Sequence, residues 1–423
     1  MSMKDETLCL HAGYSPQNSE PRVVPIIQST TYVYNNMEEV GAVFDDPTKS
    51  IIYSRFANPT VMAVEQKIAA LEGGLAAMCT TSGQAAVLIA ILNLCKAGDS
   101  FVSPIQIYGG ATNLFAHTLN KLGIECIFVD CNADEETLNK AFKHNTKAVF
   151  GETLSNPSLA VLDIEKFAEV AHTHHVPLII DNTFATPVLC KPIEFGADIV
   201  VHSTSKYMDG HAVQVGGVIV DSGRFNWQNG NFPDMTNPDV TYHGISYTES
   251  YGASAYIIKA RMQLMRDYGV YPAAHSAFLL NLGLETLSIR MERYCQNALK
   301  VAEYLNASDK IQTVTYPGLA SDKYYEMAKK YLKGSSGVIS CELKGDRGNA
   351  IKFINALKLA SIEVHVADIR TSVLHPASTT HRQLTAEQLA EAGISDSLVR
   401  ISVGLEHIDD ILEDIGQALE SVS

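Results

Sequence analysis

The sequence predicts an α/β fold in which a mostly parallel sheet is wrapped by helices and followed by a smaller C-terminal α+β domain. Short apolar runs alternate with helical patterns from about residue 58 to residue 220, and repeated β-α-β order is typical of a parallel sheet. After a long loop at residues 224–247, the pattern changes to a long helical region and then to alternating strands. A chain of 423 residues is long enough for two domains.

Seven buried runs in the first region predict a seven-stranded sheet, with strands at residues 77–79, 101–102, 124–129, 148–150, 177–180, 199–201 and 217–220. We expect an N-terminal arm at residues 1–57, a first domain at 58–270 and a C-terminal domain at 271–423. The arm has no long periodic segment, so it must pack on another surface, such as a neighbouring subunit. The loop at 224–247 carries the only Trp and is too long for a simple connection, so we expect it to be ordered.

Composition and charge exclude several classes of function. The net charge of −15 argues against nucleic acid or an anionic membrane as a partner, because neither favours an acidic surface. The first ten residues lack a signal-peptide core, and no apolar run approaches the ~18 residues of a membrane span. We therefore expect a cytoplasmic protein. Its eight cysteines form no C-x-x-C pair, which predicts reduced and mostly buried thiols.

One histidine cluster, His172-Thr173-His174-His175, is a candidate for a metal site, and the alternative is a helix C-terminus, where partial positive charge is favoured. It lacks a spaced partner cluster, and a helix places only residues 172 and 175 on one face. The sequence therefore predicts no metal centre there.

A turn after the first predicted strand has the pattern of an anion site. The run Thr80-Thr81-Ser82-Gly83-Gln84 leads from a strand into a helix whose first N–H groups and dipole point at the ligand. The G-x-x-x-x-G-K-[ST] pattern of a nucleotide-binding loop is absent. At the end of the arm, Tyr53 and Arg55 could also grip a phosphate, although pairing of Arg55 with a surface acid is an equal alternative.

Two strand ends carry the residues that most favour chemistry. The strand at 199–201 delivers Lys206 after Ser203, Thr204 and Ser205, at the edge of an α/β sheet where ligands bind. Burial lowers the pKa of a lysine and makes its amine a nucleophile. A lysine with phosphate-binding hydroxyls suggests a Schiff base with pyridoxal phosphate; the alternative is a solvated surface lysine.

The strand at 177–180 ends in Asp181, followed by Thr183. A carboxylate at the end of an apolar strand needs a positive partner, and a protonated pyridine nitrogen would provide one. Capping of the next helix is the alternative. Tyr108 and Asn156 also lie at strand ends, where Tyr108 could stack on a planar cofactor, with turn formation or core filling as alternatives. In the C-terminal domain, Arg400 on an alternating strand could bind a substrate carboxylate.

Together these motifs resemble the cysteine/methionine-metabolism family of pyridoxal-phosphate enzymes over residues 6–420. The resemblance rests on eight stretches in order: Y-S-R at 53, T-S-G-Q at 81, Y-G-G at 108, S-N-P-S at 155, D-N-T-F-A-T-P at 181, V-V-H-S-T-S-K-Y at 200, H-P-A-S-T-T-H at 375 and L-V-R-I-S-V-G-L-E at 398. The family implies a fold-type I transferase architecture and a homotetramer of two active dimers. Within it, the chain is most similar to the O-acetylhomoserine sulfhydrylases, which implies replacement of the acetyl group by sulfide or methanethiol.

The resemblance also implies a role for each site residue. Lys206 would hold the cofactor, Asp181 would pair with its ring nitrogen, and Tyr108 would stack on the ring, with Thr183 and Asn156 orienting it. The cofactor phosphate would be bound by the chain's own Ser82, Gly83, Gln84, Ser203 and Ser205, and by Tyr53 and Arg55 of the adjacent subunit. Arg400, with Asn156 and Tyr53, would bind the substrate. Related lyases have a small serine where this chain has His365, which leaves the role of that residue open.

Four alternative functions are weighed against this reading. A methionine γ-lyase on the same scaffold would release a 2-oxo acid, and a cystathionine γ-synthase type would use another ester or cysteine. A catalytically silent binding protein is disfavoured by the joint presence of Lys206, Asp181 and Arg400. A nicotinamide dehydrogenase is disfavoured because no G-x-G-x-x-G follows the first strand.

Overall fold

A computed structural model describes residues 3–46, 50–380, 382, 385, 389 and 393–422. The T-T-H-R-Q-L stretch at 379–384 therefore lies only partly within the described residues. Two sheets organise the chain, one with seven strands and one with five.

The first sheet contains the seven predicted strands, which are β1 (Ala76–Thr80), β2 (Ser100–Pro104), β3 (Glu125–Val129), β4 (Thr146–Glu152), β5 (Leu178–Asp181), β6 (Ile199–Ser203) and β7 (Gly217–Asp221). Their spatial order is β1-β7-β6-β5-β4-β2-β3. The five strands from β6 to β3 are parallel, whereas β7 runs antiparallel to both of its neighbours. Strands β5 and β6 are almost wholly buried because helices cover both faces of the sheet, which explains their continuous apolar runs.

The helices in this first part have the bounds α1 (Asp5–His11), α2 (Met37–Asp45), α3 (Pro59–Glu72), α4 (Gly83–Leu92), α5 (Gly109–Asn113, extended by a π-helical turn to Leu119), α6 (Glu135–Lys140), α7 (Ile164–Thr173) and α8 (Thr186–Leu189). Helix α3 begins and ends with the usual sequence signals. The Asn58 side chain accepts a hydrogen bond from the backbone N–H of Thr60, Pro59 is the first helical residue, and Gly73 ends the helix in the left-handed region at φ 72°.

The long loop is ordered, as predicted. It contains a short helix, α9 (Pro233–Thr236), and it buries Trp227 with its ring stacked on Tyr256 at 5.2 Å between centroids. The helical region that follows divides into α10 (Tyr247–Tyr251), α11 (Ala255–Lys259), α12 (Arg266–Tyr268), α13 (Ala274–Glu285) and α14 (Leu287–Asn306). The expectation of an arm without regular structure is incomplete, because α1 and α2 both lie within residues 1–57.

The second sheet belongs to the C-terminal part and has the order β10-β11-β12-β9-β8. Its elements are β8 (Ile311–Thr315), α15 (Tyr325–Tyr331), β9 (Val338–Leu343), α16 (Arg347–Ala356), β10 (Ser361–Ile362), β11 (Ser372–Leu374), β12 (Leu398–Ser402) and α17 (Ile408–Leu419). The alternating strand predicted around Arg400 is β12. Strands β8 and β11 give weak alternation in the sequence, because β8 is an edge strand with exposed positions and β11 has only three residues.

All eight cysteines are free, and six of them are buried, which agrees with the prediction of reduced structural thiols. Among the described residues, no helix is both long and apolar enough to cross a membrane.

Candidate active site

A cavity of about 580 Å³ lies at the carboxyl ends of β4, β5 and β6, where the N-terminus of α4 and the second sheet meet them. Eleven of the thirteen predicted site residues line it: Ser82, Gly83, Gln84, Tyr108, Asn156, Asp181, Thr183, Ser203, Ser205, Lys206 and Arg400. The parallel strands produce this convergence, because their carboxyl ends share one edge of the sheet.

Lys206 lies three residues beyond the end of β6, and its amine reaches the cavity. Burial, reinforced by the positive charge of Arg400 and opposed by Glu363, lowers the pKa of Lys206 to about 8. The Nζ atom lies 3.1 Å from Nδ1 of His365. A partly desolvated amine with this pKa is available as a nucleophile and as a proton carrier near neutral pH.

The backbone that follows Lys206 is held by the buried guanidinium of Arg290, on α14. This side chain donates hydrogen bonds to the carbonyl oxygens of Tyr207 at 2.7 Å, Met208 at 3.3 Å and Gly283 at 2.6 Å. The sequence gives no signal for this contact, because Arg290 lies 84 positions from Lys206. Arg290 therefore fixes the direction from which the lysine enters the cavity.

Replacing Arg290 with methionine is expected to lower the melting temperature by at least about 3 °C. The change leaves three buried carbonyl groups without this donor, each at a cost of about 1–3 kcal/mol. In a chain of 423 residues, 1 kcal/mol shifts Tm by about 1 °C, because the unfolding entropy is about 2.1 cal/mol/K per residue. Thermal unfolding followed by fluorescence measures the shift. Arg293 is exposed on the same helix, so Arg293→Met is the matched control and should stay within about 0.5 kcal/mol of the parent. Equal melting temperatures for the two variants would contradict a stabilising role for the hydrogen bonds of Arg290.

Asp181 ends β5 with its carboxyl group facing the cavity. Its Oδ1 accepts hydrogen bonds from both the backbone N–H and the hydroxyl of Thr183. Burial raises the pKa of Asp181, while the Thr183 hydrogen bonds and the charge of His202 oppose this shift. Among the described residues no lysine or arginine forms an ion pair with Asp181, so the site suits a ligand that brings its own cation.

Glu152 is a cavity residue that the sequence reasoning missed. It ends β4 directly beside Asp181, and its Oε1 accepts a hydrogen bond from the backbone N–H of Tyr108 at 2.7 Å. Burial and the neighbouring Asp181 carboxyl raise the pKa of Glu152 well above its usual value. The signal was available in the sequence, because residues 148–152 repeat the pattern of an apolar strand ending in an acid.

Another part of the cavity has the features of an anion site. Ser82 caps α4 by accepting a hydrogen bond from the backbone N–H of Ala85, and the N–H groups of Gly83 and Gln84 have no intrahelical partners because they begin the helix. Gly83 is required by close approach, since a Cβ atom there would lie 2.5 Å from the Cβ of Ser203. Ser203 and Ser205 lie on the other side of this niche, so backbone donors, hydroxyls and a helix dipole converge on it.

Arg400 approaches the same cavity from β12 and is buried. Its guanidinium donates hydrogen bonds to Asn156 Oδ1 and to the carbonyl oxygen of Val364, both at 3.2 Å. None of the ion pairs among the described residues involves Arg400. Burial lowers its pKa to about 10, so it remains charged at neutral pH and can bind a carboxylate.

Tyr53 and Arg55 do not line the cavity. The guanidinium of Arg55 donates a hydrogen bond to the carbonyl oxygen of Arg266 and packs 5.6 Å from the centroid of the Tyr53 ring, while Tyr53 is 40% exposed. The histidine cluster also lies elsewhere, with His172 bound to Asp198 and His174 bound to Asn139. The described residues contain no group of three His, Cys, Asp or Glu side chains placed to hold a metal.

Comparison with known proteins places the chain in a family. A sequence profile described as Cys/Met metabolism PLP-dependent enzyme matches residues 6–420. The chain belongs to this family. It is an enzyme whose cofactor is pyridoxal phosphate, and its two-sheet architecture confirms the predicted fold.

Individual members of the family are similar over the full length of the chain. An O-acetyl-L-homoserine sulfhydrylase of Leptospira meyeri is 44% identical over 432 residues, covering 100% of this chain and 98% of the relative. A homocysteine synthase of Schizosaccharomyces pombe is 47% identical over 420 residues, covering 98% of each. A crystal structure of a Campylobacter jejuni O-acetylhomoserine (thiol)-lyase, which contains a pyridoxyl-lysine monophosphate, is 38% identical with a TM-score of 0.95 and covers 99% of this chain and 100% of that one.

The residues of this chain fit pyridoxal phosphate. The niche at the start of α4 offers N–H and hydroxyl donors to a phosphate. It has no room for a side chain at Gly83. The Asp181 carboxyl at the other side of the cavity lacks a cationic side-chain partner among the described residues, as a site for a protonated ring nitrogen requires. Lys206 lines the same cavity, and its amine would be available for covalent attachment.

Proposed function

We propose that this PLP-dependent enzyme catalyses γ-replacement, in which O-acetyl-L-homoserine and sulfide give L-homocysteine and acetate, a step of methionine biosynthesis. Methanethiol in place of sulfide would give methionine. The observation that carries the proposal is the convergence of the Lys206 amine, the Asp181 carboxyl and the Arg400 guanidinium on one cavity, in a chain whose full-length relatives bear the names sulfhydrylase and homocysteine synthase. Arg400 forms no ion pair with the described residues.

The chain's own groups take the following roles in the proposal. The phosphate would be held by Ser82, Gly83, Gln84, Ser203 and Ser205. Asp181 would pair with the ring nitrogen and Tyr108 would stack on the ring, with Thr183 and Asn156 orienting it. Bound pyridoxal phosphate supplies an electron sink for the substrate carbons. The carboxylate of the amino-acid substrate pairs with Arg400, which aligns the substrate Cα with the lysine.

Lys206 moves protons in this scheme. Its amine accepts the Cα proton and must release it before it accepts the Cβ proton. Acetate leaves Cγ as an anion, and protons return to Cβ and Cα once hydrosulfide has taken its place. A pKa of about 8 suits an amine that must both take and release protons near neutral pH. The positive charge of Arg400 supports this role, since it disfavours the ammonium form of Lys206.

We also propose a homotetramer of two active dimers in the cytoplasm. Residues 1–57 form the arm in this proposal, residues 58–270 hold the cofactor, and residues 271–423 form the C-terminal domain. Tyr53 and Arg55 reach the phosphate of the adjacent subunit, and Tyr53 also borders the substrate there. Their place outside the cavity of their own chain supports this arrangement.

Replacing Arg400 with lysine is expected to raise the KM for the amino-acid ester about 10- to 100-fold, with a smaller effect on kcat. Lysine keeps the positive charge but cannot bind a carboxylate in the bidentate geometry of arginine. A hydrogen bond to a charged group contributes about 1.5–3 kcal/mol, which corresponds to about 10- to 100-fold in affinity. Steady-state kinetics with varied ester concentration measure the change. Arg347→Lys is the matched control, because Arg347 is exposed and 3.9 Å from Asp396. A KM shift in both variants would remove Arg400 from the substrate site.

The function itself is tested by crossing acetyl, succinyl and phosphorylated homoserine with sulfide, methanethiol and cysteine. Homocysteine and acetate in equal amounts from acetylhomoserine and sulfide are the expected products. Cystathionine as the main product from cysteine would indicate the synthase type of enzyme. 2-Oxobutyrate and ammonia from methionine, without homocysteine from the acetyl ester, would establish a γ-lyase instead and overturn the proposal.

A further inference from the structure

We propose that His365 is a positioning residue for the catalytic amine. Its Nδ1 atom accepts a hydrogen bond from Lys206 Nζ and holds the amine at the cavity whenever the amine is not joined to the cofactor. The inference rests on the proposed role of Lys206, and the sequence reasoning left the role of His365 open.

The first support is geometry. Nζ of Lys206 lies 3.1 Å from Nδ1 of His365, and both residues line the cavity. An ammonium group has three donors and no acceptor, so in the protonated form of Lys206 the imidazole nitrogen must be the acceptor. The contact joins the end of β6 in the first sheet to the segment between β10 and β11 in the second.

The second support is the way the His365 ring is held. The carbonyl oxygen of Val364 accepts a hydrogen bond from Arg400 at 3.2 Å, and the backbone N–H of Ala367 donates to the hydroxyl of Ser402 at 2.7 Å. The backbone is therefore fixed to β12 on both sides of His365. A ring carried by such a segment can hold a flexible lysine side chain in one place.

The third support is the charge around the ring. Burial, with the positive charges of Lys206, Arg400 and Arg370, lowers the pKa of His365 to about 4, against the opposing effect of Asp368. The imidazole is therefore neutral, and Glu363 is the acid that acts on Lys206 itself. With Nδ1 accepting, the single proton is on Nε2, which is buried and has no hydrogen-bond partner among the described residues. The His365 ring thus directs its acceptor, Nδ1, at Lys206, although its donor, Nε2–H, has no partner among the described residues.

Two variants distinguish a role of His365 as hydrogen-bond acceptor for Lys206 from a role in packing alone. His365→Leu keeps most of the volume and removes the acceptor, whereas His365→Asn places an amide oxygen near the position of Nδ1. The holoenzymes are compared in kcat and KM. The cofactor is then removed with hydroxylamine, and restored activity on adding pyridoxal phosphate verifies that each protein has stayed folded.

The readout apart from activity is the pH dependence of Lys206 acetylation by acetic anhydride, followed by mass spectrometry of the peptide that contains it. Leucine is expected to move the midpoint to lower pH by about one unit, since the ammonium form loses a charge-assisted hydrogen bond. Its kcat should fall at least about 10-fold with KM little changed. Asparagine should restore the midpoint and most of kcat. Lys259 is an internal control, because burial also lowers its pKa to about 8 but it lies outside this cavity.

Three outcomes would overturn the inference: an unchanged Lys206 midpoint in His365→Leu, equal shifts of Lys206 and Lys259, or equal losses of kcat in both variants with unchanged midpoints. The acetylation measurement does not depend on the substrate. If the parent enzyme makes no homocysteine, the proposed function fails, while the midpoints still decide the role of His365.

Discussion

Replacing Lys206 with alanine is expected to reduce turnover at least about 1,000-fold. The change removes both covalent attachment of the cofactor and the amine that carries protons at the substrate, and general acid-base catalysis alone contributes about 10²–10⁴-fold. Homocysteine formation from acetylhomoserine and sulfide measures the loss. Borohydride treatment provides a direct check, because in the parent it should fix pyridoxal phosphate to the peptide that contains Lys206, and in the variant it should fix none.

Lys259→Met is the matched control for this experiment. Burial lowers the pKa of Lys259 to about 8, the same value as for Lys206, but its amine donates to the backbone and side-chain oxygens of Asn93, outside the cavity. Its loss is expected to affect stability and leave kcat within about threefold of the parent. More than about one tenth of parental turnover in Lys206→Ala, or cofactor fixed to another lysine, would remove Lys206 from the mechanism.

The comparison between these two lysines shows what the sequence could predict. Lys206 follows a buried strand, and in a parallel sheet the carboxyl end of a strand is where ligands bind, so local pattern and fold class together identify it. The same rule identified Asp181. Lys259 follows no strand end, although its burial and charge are similar. Among the described residues, a lowered pKa alone would have given three candidate lysines, since burial also lowers the pKa of Lys67 in helix α3, and position at a strand end separates Lys206 from the other two.

Other features of the site depend on contacts that a linear pattern does not contain. Arg290 holds the backbone after Lys206 across 84 positions, and His365 reaches the amine across 159 positions from a segment beside the short strand β11. Nothing in the spacing of either residue indicates its partner. Glu152 is different, because the sequence does contain its signal, an acid at the end of an apolar strand. The predicted strand at 148–150 stops two residues short of that acid.

Replacing Asp181 with asparagine is expected to lower kcat about 100- to 1,000-fold, equivalent to about 3–4 kcal/mol of transition-state stabilisation. The amide keeps the size of the carboxyl and can still accept the hydrogen bonds of Thr183, but it cannot carry the negative charge that keeps a ring nitrogen protonated. Steady-state kinetics measure kcat, and the absorbance of the bound cofactor reports whether it is still held. Asp181→Glu should recover part of the loss because the charge returns with altered geometry.

Glu152→Gln is the matched control, since it makes the same chemical change on the adjacent strand. Burial and the neighbouring Asp181 raise the pKa of Glu152 well above its usual value, and burial also raises the pKa of Asp181. In the proposed site a protonated ring nitrogen would pair with Asp181, so we expect Glu152 to be the partner that stays neutral. Gln retains an acceptor for the backbone N–H of Tyr108, and kcat should stay within about threefold of the parent. The opposite pattern, with Glu152→Gln severely impaired and Asp181→Asn nearly normal, would assign the charge to Glu152. Asp181 and Glu152 lie side by side and titrate as a pair, so the two variants test which carboxyl carries the negative charge that the ring nitrogen needs.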